Sequence, residues 1–272
     1  MERGSFMRNI WFTVMYDGSS FAGFQRQPNG LAVQEVLEDV LERLTGAKTT
    51  VYFVARTDAG VHAWGQECTF FTESSIPGDR VRFAMNALLP PMIRVCHSEE
   101  VPEDFSVRRR NTGKTYGYLF SEDPYESPFL QRYCWPCGKV LDVERMEEAA
   151  SALTGLHDFT SFRGNNSVPS DPVRRIADIR LVRDRRHIRL YVTGEGFLYH
   201  MVRNIAGALY EAGLGKLDGA AVRGILAGKD RRLLQAATAP SAGLALLRVY
   251  FSPITKEDID ETLAMPLFPW NP

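Results

Sequence analysis

The eight residues Arg56-Thr57-Asp58-Ala59-Gly60-Val61-His62-Ala63 hold the side-chain types that an active site needs. They supply a carboxylate, an arginine before it, a histidine after it and a glycine between. The run before them, Thr50-Val51-Tyr52-Phe53-Val54, is β-prone, so the pattern predicts a strand over residues 49–57 ending at Asp58. Gly60 then turns the chain, because only glycine takes positive φ without penalty. An ionised carboxylate held there could act as nucleophile or general base. Arg56 is a candidate to balance its charge. Asp beside Gly also caps ordinary turns, and taken alone the octet fits that role at least as well.

Three further groups bear on the chemistry. Arg203 lies in Phe197-Leu198-Tyr199-His200-Met201-Val202-Arg203-Asn204-Ile205, just off the apolar stripe 198, 201, 202, 205 and 209. From there it could snorkel to solvent, or pair with Asp58 and keep it ionised. Tyr116, two residues after Lys114, offers a ring face for a base and a hydroxyl, or packs within a sheet. Cys134 and Cys137 have redox spacing. The next helix start, Asp142 with Glu144, comes several residues too late, and Cys68 and Cys96 supply no second pair for zinc. Reduced thiols are expected.

No Walker loop, dinucleotide fingerprint, zincin motif or Ser-His-Asp signature occurs. Gly194-x-Gly196 alone is too weak a signal for phosphate binding. Asp58 and His62 could share a metal only with ligands that the sequence does not point to. No metal, no nucleotide and no other cofactor is therefore expected.

The elements that must position these groups follow from periodicity. Residues 10–16 predict a strand; Leu31 to Leu44 carries an apolar stripe at helical spacing, closed by Gly46. Strands at 66–72 and 92–99 flank a helix over 79–89, stopped by Pro90-Pro91. With the octet strand the order is β-α-β-β-α-β. The second half resembles the first in order: a strand over 114–120, a helix over 142–153, a hairpin of 176–182 with 187–193, helices over 197–212 and 218–226, and a strand over 245–251. A short helix capped by Thr255 and Asp258 leads into a Pro-rich tail. The fold class is α+β with two similar halves, residues 1–105 and 106–272. If their sheets pair edge to edge, a cleft runs between them.

At 272 residues, 44% hydrophobic and 24% charged, the chain reads as an ordinary globular protein. No apolar run reaches a membrane span and the N-terminus has no signal-peptide core, so a cytoplasmic location is expected. The net charge of −1 argues against a uniformly basic nucleic-acid binder, but basic residues crowd into 108–110, 174–189 and 229–232. Such segregation makes a positive surface on a neutral protein, or merely solvated faces.

With these residues in view, the chain resembles the TruA-type tRNA pseudouridine synthases. Tyr16-Asp17-Gly18 with Gly23-Phe24-Gln25-Arg26-Gln27 is similar to that family's opening block, and the octet to its catalytic block. Phe105-Ser106-Val107-Arg108 and Lys114-Thr115-Tyr116-Gly117-Tyr118 are similar to its central block. His157 through Arg163, Gly196 through Asn204, and Ala239-Pro240 through Gly243-Leu244 are similar to three more. The resemblance implies the pseudouridine synthase fold, with Asp58 as catalytic residue, Tyr116 stacking on the target uracil and Arg203 pairing with Asp58. It implies RNA contacts by Gln25, Arg26, Arg56, His62, Arg108, Lys114 and Arg163, with Leu244 closing the pocket. It further implies a homodimer acting on the anticodon arm of tRNA, at positions 38, 39 and/or 40. Ala55 stands where the family often has Gly, Phe24 where it has Trp, and Asn165-Asn166-Ser167 departs from its usual residues. Two other readings are a catalytically silent RNA-binding module and a thiol-redox protein using Cys134 and Cys137.

Overall fold

The computed structural model describes residues 7–165 and 171–265, so Asn166, Ser167 and the Pro-rich end of the chain lie outside the described residues. The chain divides into two compact units: Met1–Thr112 with Arg248–Ser252, and Gly113–Leu247 with Pro253–Pro272.

The first unit runs β1 (Arg8–Tyr16), α1 (Val33–Thr45), β2 (Tyr52–Phe53), β3 (His62–Thr72), α2 (Gly78–Asn86), β4 (Ile93–Val101) and α3 (Val107–Arg110). This is the β-α-β-β-α-β order expected from the sequence, with a short terminal helix added. β1 is central, antiparallel to β3 on one side and to β4 on the other. Ile10, Phe12 and Val14 of β1 and Phe70 of β3 are buried, as are Leu37 and Leu41 on the apolar face of α1. That face is the core contribution expected of an amphipathic helix. Gly46 ends α1 in the left-handed region at φ 76°, a conformation for which glycine carries no penalty.

One expectation fails here. Only Tyr52 and Phe53 of the run 49–57 join the sheet, and Asp58 lies in a loop beyond them. Side chains have taken the backbone groups that a longer ladder would use. Glu38 accepts from Val51 N at 2.9 Å, and Gln66 accepts from Ala55 N at 3.0 Å while donating to Ala55 O at 2.6 Å.

The second unit contains β5 (Gly113–Ser121), β6 (Trp135–Pro136), α4 (Val143–Ser151), β7 (Gly155–Asp158), β8 (Val173–Asp184), β9 (His187–Gly194), α5 (Met201–Gly213), α6 (Gly219–Gly228) and α7 (Lys256–Leu263). β5, β9, β8 and β7 pair antiparallel in that order, and β6 lies parallel beside β5. Asp142, Asp218 and Thr255 cap α4, α6 and α7. α5 begins at Met201 rather than at Phe197, because His200 adopts φ 58° and turns the preceding residues out of helical register. β10 (Leu244–Tyr250) starts in this unit and ends in the first. The protein is α+β with mostly antiparallel pairing. No helix among the described residues is long and apolar enough to cross a membrane.

Candidate active site

The octet is held by its backbone. Asp58 O accepts from Val61 N at 3.1 Å, closing a tight turn around Ala59 and Gly60, and Gly60 takes φ 78°. The opening segment lies against this turn. Phe24 N donates to Thr57 O at 3.2 Å, Gly60 N donates to Phe21 O at 3.3 Å, and the Tyr16 hydroxyl meets Thr57 Oγ1 at 2.7 Å inside the core. Gly23 has no room for a side chain: a Cβ would lie 2.7 Å from Thr57 O and 3.2 Å from the Asp58 carbonyl carbon. The approach at Gly18 is closer still, with a Cβ 1.9 Å from Val61 O. Asp58 is half-buried, while Arg56 is exposed and makes no ion pair among the described residues.

His62 opens β3 and is buried. Its Nδ1 faces Gly18 N at 3.1 Å and Asp17 Oδ1 at 3.2 Å. The ring nitrogen accepts from the first or donates to the second, so His62 joins the opening segment to the octet in either tautomer. Gln25 and Arg26 are exposed on the loop that crosses the octet. Arg26 forms an ion pair with the buried Glu38 of α1, and its backbone N donates to Gln34 at 2.9 Å. Arg108 is exposed on α3. The first unit thus brings Asp58, His62, Gln25 and Arg26 to one loop cluster.

In the second unit Lys114 and Tyr116 stand two apart on β5, opposite Gly194 and Val192 of β9. Tyr116 is 8% exposed, with its ring edge-on to Phe197 at 5.1 Å. Arg203 on α5 donates Nε to Ala239 O at 2.7 Å, and its Nη1 lies 3.2 Å from His200 Nε2. Tyr118, on the strand face it shares with Tyr116, donates to Pro240 O at 2.8 Å. The segment 239–240 therefore joins the β5 strand to Arg203. Gly243 lies against the Tyr118 ring, where a Cβ would come within 2.7 Å, and Leu244 is buried directly after it. The signal for Tyr118 was its place on the same strand face as Tyr116. Arg163 is half-buried at the end of a short helical turn, Thr160–Phe162.

The crowded basic run on β8 and β9 is mostly neutralised. Carboxylates hold Arg175 at 3.3 Å, Arg180 at 3.0 Å, Arg183 at 2.9 Å, Arg186 at 3.3 Å and Arg189 at 2.9 Å. Lys114 is different. Burial, with the neighbouring Arg174 cation, pulls its ammonium down to about 8.

Cys134 and Cys137 flank the two-residue strand β6 rather than a helix N-terminus. Burial pushes the Cys134 thiol up to about 12, and Cys137 Sγ donates to Ser121 O at 3.0 Å. A buried, strongly protonated thiol is a poor nucleophile, which weighs against the thiol-redox reading. No group of three metal-ligating side chains occurs among the described residues.

The sequence matches the family described as tRNA pseudouridine synthase over residues 13–108 and 149–252. A protein named tRNA pseudouridine synthase A from Acetivibrio thermocellus is 40% identical over 245 residues, covering 90% of this chain and 100% of that one. Its namesake from Ruminiclostridium cellulolyticum is 41% identical over 246 residues, with the same coverage of 90% and 100%. One from Geobacter sp. is 41% identical over 245 residues, covering 90% and 99%. Among solved structures, that titled Crystal Structure of a Cbf5-Nop10-Gar1 Complex aligns with a TM-score of 0.36 and 13% identity, over 88% of this chain and 49% of that one.

Proposed function

The chain belongs to the tRNA pseudouridine synthase family, and from that premise we propose that it acts on the anticodon arm, at positions 38, 39 and/or 40. The reaction is an isomerisation. The bond from uracil N1 to ribose C1′ breaks, the base turns, and C1′ rejoins carbon 5. Carbon 5 loses a proton and N1 gains one, so atoms and electrons balance without an oxidant or leaving group. Asp58 is the nucleophile on the sugar or the base on the ring. Tyr116 supplies the aromatic wall for a nucleotide flipped out of its stack, and Arg203 is the counter-ion of Asp58. Gln25, Arg26, Arg56, His62, Arg108, Lys114 and Arg163 contact the RNA, and Leu244 closes the pocket. The N-terminal half carries Asp58, and the C-terminal half carries Tyr116 and Arg203. The enzyme works in the cytoplasm as a homodimer whose subunits share one tRNA.

The observation that supports this reading best is the anchoring of the octet. Its Asp58–Val61 turn is fixed by Tyr16, Gly18, Gly23 and Phe24, so the Asp58 carboxylate starts from a rigid base. A pre-positioned catalytic group of this kind lowers the barrier without reorganisation at the moment of reaction. An isolated turn cap needs no such frame. The test is tritium release from tRNA labelled at uridine carbon 5. Wild type is expected to release label, and Asp58→Ala to lose at least about 10³-fold of the rate. Silence of the wild type on every tRNA would sink the assignment, whereas equal release by the variant would remove Asp58 alone. Arg203→Ala is expected to lose more activity than tRNA binding, and parallel losses would make it a phosphate contact.

A further inference from the structure

Most of the arginines on β8 and β9 are spoken for, yet two half-buried cations beside the Gly194-Glu195-Gly196 turn are not. Lys114 makes no hydrogen bond or ion pair among the described residues, although its ammonium is buried enough to be destabilised. Arg174, at the start of β8, donates Nη1 to Asp171 O at 2.8 Å and to Val173 O at 2.6 Å. Those carbonyls fix the guanidinium and neutralise nothing. Glu195, the carboxylate on the turn, is engaged by Arg175 at 3.3 Å.

The backbone brings the two cations together. Lys114 sits opposite Gly194 across the β5–β9 ladder, and Ile176 of β8 sits opposite Gly194 from the other side. Arg174 lies over Gly196, its Cδ and Nε 3.4 Å from where a Cβ would stand. Gly194 is closely packed, for a Cβ would come within 2.8 Å of Arg175 O and 3.2 Å of the Ile176 and Phe197 side chains. Lys114 and Arg174 thus flank one turn as two like charges. Holding like charges half-buried without an anion costs stability. A ligand that brings a negative charge repays that cost, and a guanidinium with an ammonium suits a phosphate oxygen pair.

We propose that Lys114 and Arg174 form a clamp for one backbone phosphate of the RNA, beside the Gly194-Glu195-Gly196 turn. The proposal rests on RNA being the substrate and assigns Arg174, which no sequence motif marked. The glycine pair, too weak to read as a phosphate site by itself, gains its sense from the two cations that flank it.

The test is the salt dependence of tRNA affinity, measured by filter binding for wild type, Lys114→Gln, Arg174→Gln, Arg174→Lys and Arg180→Gln. Each Gln variant at the clamp is expected to weaken binding about tenfold. Each should also lower the slope of log K against log salt by about 0.7 to 0.9, the loss of one phosphate contact. Arg174→Lys keeps the charge and should keep most of the slope. Arg180→Gln removes a cation already paired with Asp178 and should leave the slope unaltered. If Arg174 only braces the backbone at Asp171 and Val173, Gln and Lys would lower the melting temperature alike and spare the slope, and the clamp would be overturned. Tritium release by wild type is scored separately. Release with unaltered slopes removes the clamp alone; altered slopes without release remove the catalytic reading and leave an RNA site.

Discussion

Glu67 on β3 is a buried carboxyl outside the proposed reaction. Trp11 Nε1 donates to it at 2.5 Å and Thr13 Oγ1 at 3.0 Å. Burial outweighs both donors and pushes the group up to about 7. A carboxyl raised in the folded state favours its proton there, so the stability it contributes is complete below its ordinary value and is lost as pH rises through about 7. Glu67→Gln removes that titration while keeping an acceptor for Trp11 and a partner for Thr13. Thermal melts are expected to place the variant about 1 to 3 kcal/mol above wild type near about pH 8.5 and level with it near about pH 4.5. Parallel pH profiles would refute this. Nothing in the sequence distinguished Glu67 from an exposed strand residue, because its partner Trp11 lies on another strand and is itself packed by Phe105 and Phe251 from distant positions.

At the scale of elements, caps and the β8–β9 hairpin were legible, and backbone pairing set by distant side chains was not. Asp142, Thr255 with Asp258, and Gly46 act on neighbours within one helical turn, so their spacing alone announces them. The octet strand failed because Glu38 and Gln66 reach the backbone from other elements, which no local pattern records. The start of α5 failed similarly, since nothing local marks His200 for φ 58°. Of the site, residue types and order were readable; the anchoring of the octet by Tyr16, Gly18 and Gly23 was not. That anchoring gives a prediction. Gly18→Ala places a methyl into Val61 O, and Tyr16→Phe removes a buried hydrogen bond to Thr57. Gly18→Ala should destabilise by about 2 kcal/mol or more and Tyr16→Phe by about 1 kcal/mol. Both should slow tritium release by more than their lost stability accounts for. Full activity in folded Gly18→Ala would separate octet geometry from catalysis.

At the scale of the whole molecule, the basic run 174–189 is largely taken up in ion pairs within its own unit. Arg56, Lys114 and Arg174 are left without a carboxylate partner among the described residues, within a net charge of −1. Affinity for tRNA is expected to carry a shallow salt slope, fewer than about six contacts per subunit, and a steep slope would contradict this. The proposed homodimer should sediment at twice 30.6 kDa. A protein mass of 30.6 kDa at every concentration, bound to tRNA or not, would refute it.

The return of Arg248–Ser252 to the first unit has a consequence for biosynthesis. Phe251 packs on Trp11 at 5.2 Å and on Phe105 at 6.2 Å, and Thr112 N donates to Tyr250 O at 2.8 Å. These contacts are missing while the ribosome is still translating the second unit. The first unit must then wait, with Trp11 uncovered, until residues 248–252 have emerged. Domains that fold in order of synthesis escape this delay; here the first unit is completed only after most of the second has been made.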